Sequence, residues 1–465
     1  MYSTSHPAPI ADQTKVWDLK PEHEFRFEVD FNNAVVLRLK SGTAEIFGAE
    51  LGSGAEYRFT GQKAAVFTWH GCSLEIQGQC NVAYVADETP MASYINLHTA
   101  LQSRRVAAAA AAATTAMTAP PATDREGQAT VAPGTTGPVV MLIGPVDAGK
   151  TSLAKLLLNY AVRQGQHPMF INLDPAEGSV LMPGTVSAAP AMHILDPEDG
   201  FDALGLDKTA GDVSTPLCYH YGFPSTTDNP KLYGLLAAKL AETVRARLAR
   251  NHQTRPAGCI IDTGGVIDAA AGYELIQQSI ADFHVDLVVV LGHERLYSDM
   301  CRLYGNSATV KVVKLAKSGG VVNRDKDFLR HAQLRTIRRY FYGSSYSEYS
   351  PFSTIAWYQN LKIYRVEDSI APSSALPIGI DRKVSETQIV PMEPGPVLIH
   401  SILTVSSLDA TEDEDKLLES PAAGFVYVSS VDENKKSKKL TLLSPSPGRL
   451  PRKYLLLSSF KWMEM

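Results

Sequence analysis

The sequence predicts an α/β fold with a central, doubly wound parallel sheet, flanked by a small N-terminal β-sandwich and a C-terminal β-rich domain. In the middle of the chain, apolar runs of strand length alternate with helix-like runs, which is typical of βαβ units. On either side, short alternating segments are separated by turn residues, which is typical of antiparallel sheets. We therefore divide the 465 residues into an N-terminal domain, a linker, a central domain and a C-terminal domain, spanning 1–100, 101–137, 138–345 and 346–465.

The N-terminal domain is predicted from seven short alternating segments. They are Glu24–Val29, Val35–Leu39, Ala44–Phe47, Tyr57–Phe59, Ala65–Trp69, Ser73–Ile76 and Val82–Val85. Residues 94–137 follow, and they are rich in alanine, threonine, proline and glycine. Alanine favours helix, but no apolar stripe continues after Arg105, so we expect a linker with a partly helical start.

Residues 144–151 read Gly-Pro-Val-Asp-Ala-Gly-Lys-Thr, a complete GxxxxGK[ST] phosphate loop between a strand-like run and a helix-like run. Its two glycines let the backbone bend so that N–H groups point at phosphate oxygens. Lys150 is expected to reach the β- and γ-phosphates, and the Thr151 hydroxyl to ligate Mg²⁺. The N-terminus of the following helix adds partial positive charge. The central domain is therefore predicted to be a P-loop NTPase domain.

Two aspartates, Asp174 and Asp262, end strand-like runs of this central domain. Ligands lie at the carboxyl ends of parallel strands, so each carboxylate is placed to hold the Mg²⁺ shell or to accept a proton from an attacking hydroxyl. The alternative, that one of them only caps the following turn, stays open. Pro183–Thr185 is a candidate substrate-facing turn. The strand-like runs are Pro138–Ile143, Met169–Asp174, Gly258–Asp262, Asp286–Leu291 and Lys311–Leu315.

Composition narrows the class of protein. A net charge of −5 provides no global basic field, so contact with nucleic acid would need a local patch. No apolar run approaches the ~18 residues of a membrane-spanning helix and no signal peptide is evident, so we expect no membrane partner. Scattered cysteines without metal-binding spacing favour reduced thiols in an intracellular protein. These cysteines are Cys72, Cys80, Cys218, Cys259 and Cys301.

Two charged runs lie near the C-terminus. The acidic run Glu412–Asp415 is interpreted as a solvated loop, with partner binding as the alternative. The lysine-rich run Lys435–Lys439, with Arg449, Arg452 and Lys453, is a candidate RNA-facing or nuclear-import patch. Few aromatic residues interleave the lysine-rich run, so the sequence does not predict base stacking there.

Eight segments, in order along the chain, carry a resemblance more specific than a phosphate loop. They are Thr43–Gly48, Val66–Cys72, Gly144–Thr151, Asp174–Ser179, Pro183–Thr185, His293–Tyr297, Lys317–Phe328 and Arg338–Gly343. With these segments the chain resembles the polynucleotide 5′-hydroxyl kinase family, and within it the ATP-binding subunit of the nuclear pre-mRNA cleavage and polyadenylation factor. The resemblance covers nearly all of residues 20–400. The insertions near 107–136 and 409–439 fall outside it.

The resemblance implies a role for each matching residue. Glu24 and Lys63 would contact the adenine side of ATP. Asp174 would be the general base for an RNA 5′-hydroxyl, and Arg324 a lid arginine that neutralises charge on the transferred phosphoryl group. The phosphate loop residues that would hold ATP are Gly144, Asp147, Ala148, Gly149, Lys150, Thr151 and Ser152. The residues expected around Mg²⁺ are Thr151, Asp174 and Asp262.

Three departures from the active pattern lie on the substrate side. The resemblance implies that active members carry a glutamine at the position of Glu177. A carboxylate at this position adds negative charge near the phosphates, which an amide does not. Leu329 stands in place of a second lid arginine, with Arg330 next to it as a candidate substitute. Val266 stands where active members have an aromatic residue that stacks on RNA. These departures favour ATP binding without phosphate transfer.

Two hypotheses follow from the resemblance. In the first, the chain is an ATP-holding structural subunit of the nuclear 3′-end cleavage factor that docks a scaffold subunit and contacts pre-mRNA indirectly or weakly. In the second, it is an active ATP-dependent kinase of RNA 5′-hydroxyl ends. A GTPase-type switch is disfavoured, because no Asn-Lys-x-Asp guanine motif follows the later strands.

Overall fold

The structure is a computed structural model. It describes residues 10, 13–118, 134–201, 204, 216–251, 254–267, 269–344, 347–368, 387–393, 395–410, 413–432, 438–448 and 453–464. Within these ranges no helix is long and apolar enough to cross a membrane. All five cysteines are free thiols.

The N-terminal residues form the predicted β-sandwich of two facing sheets, ordered β1-β8-β3-β6 and β5-β4-β7-β2-β9. Alternate residues such as Phe25, Phe27 and Phe59 point inward, where they are almost completely buried. Two of the strands, β1 and β5, are additional to the segments that the sequence predicted. The strand bounds are β1 Thr14–Leu19, β2 His23–Val29, β3 Val35–Gly42, β4 Glu45–Ile46, β5 Ala49–Glu50, β6 Glu56–Phe59, β7 Gln62–Thr68, β8 Cys72–Gln77 and β9 Val82–Ala86.

A single helix, α1 (Met91–Thr118), joins the sandwich to the central domain and continues through the alanine run. Leu101 and Ala108 are buried, and the buried Arg105 donates a hydrogen bond from Nε to the carbonyl oxygen of Ala257, 3.0 Å away. Residues 101–118 are therefore helical and the helix is packed as far as Ala108, within the range that the sequence assigned to a linker. Residues 119–133 of that range lie outside the described residues.

The central domain has a seven-stranded sheet in the order β13-β12-β11-β14-β10-β15-β16. Five neighbouring strands, β11, β14, β10, β15 and β16, are parallel. The strands β12 and β13 extend the sheet beyond β11 in antiparallel orientation. The sheet is therefore mixed, although its doubly wound parallel part agrees with the prediction. The bounds are β10 Val139–Ile143, α2 Lys150–Arg163, β11 Met169–Leu173, β12 Thr185–Pro190, β13 Leu217–His220, α3 Pro230–Arg250, β14 Cys259–Thr263, α4 Ala270–Asp282, β15 Leu287–Leu291, α5 Glu294–Tyr304, β16 Lys311–Leu315 and α6 Lys326–Tyr342.

The C-terminal residues form a second seven-stranded sheet, ordered β19-β24-β23-β22-β25-β20-β21, next to a small hairpin of β17 and β18. This agrees with the predicted β-rich domain, although the apolar run at Val397 forms a 3₁₀ turn, Pro396–Leu398, instead of a strand. The strand bounds are β17 Gly343–Ser344, β18 Ser347–Glu348, β19 Phe352–Trp357, β20 Lys362–Asp368, β21 Thr387–Pro391, β22 Ser401–Asp409, β23 Ala422–Asp432, β24 Lys439–Ser444 and β25 Lys453–Lys461.

The C-terminal sheet packs against the central domain through α6 and through the turn before β12. Phe341 of α6 stacks on Trp462, with ring centroids 5.6 Å apart. A Cβ atom on Gly184 would lie 2.9 Å from the Phe460 ring, so the turn Pro183–Thr185 faces the C-terminal sheet. All three residues of this turn are buried, so the structure does not support the expectation that it faces substrate.

The structure describes only part of each of the two charged runs near the C-terminus. Asp413, Glu414 and Asp415 are exposed, which agrees with the interpretation as a solvated loop, whereas Glu412 lies outside the described residues. Residues 433–437 and 449–452, which hold most of the basic patch, also lie outside them.

Candidate nucleotide-binding site

A cavity of about 370 Å³ lies between the N-terminal sandwich and the carboxyl ends of the parallel strands. It gathers most of the residues that the sequence singled out. Gly144, Asp262 and Arg330 do not line it. The predicted residues that do line it are Glu24, Lys63, Asp147, Ala148, Gly149, Lys150, Thr151, Ser152, Asp174, Glu177, Val266, Arg324 and Leu329.

The phosphate loop connects β10 to α2 and has the backbone geometry of an anion cradle. Gly149 has a φ of +89°, a left-handed conformation that glycine adopts without strain, immediately before α2 begins at Lys150. The loop after β14 approaches it closely, because a Cβ atom on Gly265 would lie 2.4 Å from the backbone nitrogen of Val146. Gly149 and the first residues of α2 line the cavity, so the helix N-terminus, whose first N–H groups have no partner within a helix, faces it.

The ammonium group of Lys150 is buried at the floor of the phosphate loop. Its Nζ donates hydrogen bonds to the carbonyl oxygens of Gly144, at 3.0 Å, and Pro145, at 2.8 Å. Burial lowers the pKa of Lys150, while the nearby carboxylates of Asp262 and Asp174 oppose that shift. Two neutral carbonyls only partly compensate a buried charge, so this ammonium is well placed to pair with phosphate.

Thr151 and Asp262 form the part of the site suited to a cation. Thr151 Oγ1 donates to Asp262 Oδ2 at 2.7 Å, and the buried Oδ1 of Asp262 has no hydrogen-bond partner. Burial raises the pKa of Asp262 to about 7. The described residues contain no cluster of three or more His, Cys, Asp or Glu side chains that would hold a metal alone. This donor set fits Mg²⁺, which takes one or two protein ligands together with phosphate and water.

Asp174 lies beside these groups, at the end of β11. The Asn172 side chain accepts a hydrogen bond from the Asp174 backbone N–H at 3.0 Å, and Asp174 Oδ1 accepts one from the Ala176 N–H at 2.9 Å. Burial, and then the Glu177 charge, raise the pKa of Asp174 to about 6. A carboxylate with that pKa is ionised near neutral pH and is matched to accepting a proton.

Arg324 connects the two sides of the cavity through two carboxylates. Its Nε lies 2.6 Å from Asp147 Oδ1 in the phosphate loop, and its Nη2 lies 2.6 Å from Glu177 Oε1. Its backbone N–H also donates to Asp147 Oδ2 at 2.8 Å. Burial disfavours the charge, but the two carboxylates outweigh burial and raise the pKa of Arg324 above its usual range. The guanidinium is therefore already neutralised by protein groups.

The two other departures also lie where the sequence analysis expected them. Val266 and Leu329 line the cavity with aliphatic side chains. Arg330 is exposed and is not among the lining residues, because successive residues of α6 point in directions about 100° apart. Arg330 therefore does not line the cavity beside Leu329, where the resemblance implies a second arginine.

On the sandwich side, Glu24 and Lys63 both line the cavity, and both have partners. Glu24 accepts hydrogen bonds from Arg26 Nε, at 2.8 Å, and from Thr89. Lys63 pairs with Glu28, with its Nζ 3.0 Å from the carboxylate. An apolar wall that the sequence analysis missed lies beside them. Two of its residues, Met91 and Tyr94, belong to α1, where their spacing is that of any buried helix face and gives no sign of a binding site. This wall contains Phe47, Phe67, Met91, Tyr94, Leu156 and Val321.

The fold and the site define a P-loop protein with an N-terminal β-sandwich. Three family profiles match in order: "N-terminal beta-sandwich domain of polyadenylation factor" over 18–108, "mRNA cleavage and polyadenylation factor CLP1 P-loop" over 144–343, and "Pre-mRNA cleavage complex II protein Clp1" over 349–464. The chain belongs to the Clp1 family.

Relatives of two kinds are similar to the chain over its whole length. The mRNA cleavage and polyadenylation factor clp1 of Botryotinia fuckeliana is 38% identical, covering 98% of this chain and 95% of its own. The human polyribonucleotide 5′-hydroxyl-kinase Clp1 is also 38% identical, covering 97% of both chains. A solved wild-type Clp1p–Pcf11p complex superposes with a TM-score of 0.82 at 25% identity, covering 98% of this chain and all of the solved chain.

Proposed function

We propose that the protein is an ATP-holding subunit of the nuclear pre-mRNA 3′-end cleavage and polyadenylation machinery, where it docks a scaffold subunit. Relatives named as cleavage and polyadenylation factors, and a related chain solved with Pcf11p, support the subunit role. The observation that carries the proposal is the contrast between an intact phosphate loop and a lid arginine already paired with Glu177.

This chain's residues provide what an ATP–Mg²⁺ complex requires. The N–H groups at the start of α2 and the Lys150 ammonium would bind the phosphates. Thr151 Oγ1 and Asp262 would hold Mg²⁺, which supplies positive charge against the triphosphate. The apolar wall with Met91 and Tyr94 would enclose the base, and Glu24 and Lys63 would border it. These contacts lie on the ATP side, where the family pattern is retained.

The substrate side favours retention of ATP over transfer of its phosphate. Asp147 and Glu177 compete with a phosphoryl group for Arg324, because a guanidinium held in two short ion pairs must break one to reach a new anion. Leu329 offers no second positive charge. Val266 has no aromatic face for an RNA base, and such a face contributes about 1–3 kcal/mol.

An active RNA 5′-hydroxyl kinase is the second candidate, and Asp174 is the observation that favours it. A carboxylate with a pKa of about 6 on the cavity lining is suited to accept the proton of an RNA 5′-hydroxyl as that oxygen attacks the γ-phosphorus of ATP. The products would be a 5′-phosphorylated RNA and ADP. The vertebrate relatives carry the kinase name.

One experiment distinguishes the two functions. The purified full-length protein is assayed for transfer of labelled phosphate from ATP to a 5′-hydroxyl RNA, and its bound nucleotide is identified after denaturation. We expect co-purified ATP that Lys150→Ala removes, and no transfer above background. Transfer that both Lys150→Ala and Asp174→Asn abolish would overturn the structural proposal in favour of the kinase.

A further inference from the structure

An edge strand of the C-terminal sheet exposes large apolar side chains. Among the described residues, β19 is bonded to β24 alone, so its other edge is unpaired. Ile355 is 66% exposed and Trp357 is 42% exposed. Apolar side chains of this size on an open edge strand are typical of binding surfaces.

The register of the sheet places other groups on the same face. Trp357 pairs with Lys439 and Ile355 pairs with Thr441, and antiparallel partners project to one side. Thr441 Oγ1 also accepts a hydrogen bond from the Ser430 hydroxyl at 2.9 Å. We call this surface the β19 face. It combines an exposed indole, an aliphatic side chain, hydroxyl groups and a lysine.

The lysine and the indole are in direct contact. Lys439 Nζ lies 4.4 Å from the centroid of the Trp357 ring, a cation–π distance that orients the indole. The backbone N–H of Tyr358 donates to the carbonyl oxygen of Lys438 at 3.1 Å, which holds the backbone of a second lysine next to the aromatic residue. Asp432 of β23 is the register partner of Lys439, so among the described residues two lysines, Lys438 and Lys439, stand against one aspartate and leave this end of the sheet positive.

We propose that the β19 face binds single-stranded RNA, with one base stacked on the exposed part of Trp357 and with Lys438 and Lys439 on the flanking phosphates. Exposed aromatic rings beside cations are the usual means of holding unpaired bases and their backbone. The Thr441 and Ser430 hydroxyls are placed to contact a ribose 2′-hydroxyl. Duplexes keep their base faces stacked, so they are excluded. This inference goes beyond the ATP-holding function and does not depend on it.

The charge distribution favours RNA over a peptide strand added to the β19 edge. An added peptide strand would use backbone groups of β19 and would gain little from a lysine held over the indole. The sequence analysis found too few aromatics within the lysine-rich run to predict stacking. Trp357 lies far away in sequence, and only the β19–β24 pairing brings it to Lys439.

The test measures binding of the full-length protein to a fluorescent oligouridine of about ten nucleotides by anisotropy, at several salt concentrations. We expect Trp357→Ala to weaken binding roughly tenfold, Trp357→Phe to retain most of it, and Lys438→Glu with Lys439→Glu to reduce the salt dependence. Phe352→Ala is the matched control, because Phe352 is 44% exposed on the same strand but projects to the opposite face. We expect it to leave the affinity unchanged.

Three results would overturn the proposal. The first is an equal loss with Phe352→Ala and Trp357→Ala, which would indicate general disruption of the strand. The second is equal affinity for a duplex of the same length. The third is an RNA affinity that falls with Lys150→Ala but not with Trp357→Ala, which would locate the RNA at the phosphate loop cavity. Thermal unfolding of every variant, and the retained ATP of all of them except Lys150→Ala, verify that they are folded.

Discussion

Arg324 Nη2 lies 2.6 Å from Oε1 of Glu177, so the arginine that the resemblance assigns to the lid is paired across the cavity with one of the three residues that the resemblance marks as departures from the active pattern. The same guanidinium contacts Asp147 in the phosphate loop. One positive charge is thus shared by two carboxylates before any nucleotide phosphate approaches. Replacing an amide by a carboxylate at Glu177 therefore changes both the charge of the cavity and the availability of Arg324.

The Glu177→Gln variant should release Arg324 toward the nucleotide. An amide cannot form an ion pair, and a freed arginine stabilises charge on a transferring phosphoryl group. We expect phosphate transfer to a 5′-hydroxyl RNA to rise at least about tenfold, in an assay that follows labelled phosphate. Glu274→Gln, an exposed glutamate outside the cavity lining, serves as the control and should change nothing. Equal transfer rates for the parent and both variants would refute the idea that the Arg324–Glu177 ion pair holds the arginine away from the nucleotide.

The Gly265→Ala variant should close the phosphate loop cradle. A Cβ atom there would lie 2.4 Å from the Val146 nitrogen, closer than any real contact, so the loop must shift. At the neighbouring Gly264, the nearest atom to a new Cβ is 3.6 Å away, an ordinary contact. We expect Gly265→Ala to lose co-purified ATP and Gly264→Ala to retain it, as measured by chromatography of the released nucleotide. The same nucleotide content in both variants would contradict the proposed close approach.

Thr151→Val should weaken the dependence of ATP retention on Mg²⁺. The valine has a similar shape but removes the hydroxyl that donates to Asp262 at 2.7 Å, which leaves that buried carboxylate without its hydrogen bond. We expect about a tenfold loss of ATP affinity at saturating Mg²⁺, measured by calorimetry. Thr151→Ser keeps the hydroxyl and should bind almost as the parent does. If the serine variant lost as much affinity as the valine variant, the hydroxyl would not be the group that matters.

The sequence predicted the parts of the fold that have a characteristic local pattern of apolar residues. Buried parallel strands such as β10 and β15 are continuous runs of apolar residues, so their limits were within one residue of those observed. The antiparallel strand β12, Thr185–Pro190, is made mostly of small residues and ends in a proline, which give no such signal. Its existence follows from pairing with β11, which only the folded sheet reveals.

The candidate site divides in the same way. The phosphate loop is contiguous in sequence, so its residues were predicted together. The contact between Asp147 and Arg324 joins residues far apart in the chain, and nothing in either segment indicates it. The same applies to Tyr94, whose hydroxyl donates to the Ala316 carbonyl oxygen at 3.0 Å and helps to build the apolar wall. Contacts of this kind depend on how segments distant in sequence pack together, which local patterns do not encode.

Two buried histidines should make the protein less stable in mild acid. Burial lowers the pKa of His98 and of His220 to about 4 each, whereas an unfolded histidine titrates near ~6.5. Between those values the unfolded chain binds more protons than the native protein, so the free energy of unfolding falls as pH falls from 6.5 toward 4. The stabilisation is present in full above pH 6.5.

We expect each histidine to contribute about 1–2 kcal/mol of the stability lost between pH 7 and pH 5. Urea unfolding of the parent and of His98→Phe at both pH values measures this contribution. Both ring nitrogens of His98 lack partners and its ring packs edge-on against Tyr160, so phenylalanine should fit and reduce the pH dependence. His70→Phe, at an exposed position, should keep the pH dependence of the parent. An unchanged pH dependence in His98→Phe would show that the pKa of His98 does not differ between the folded and the unfolded protein.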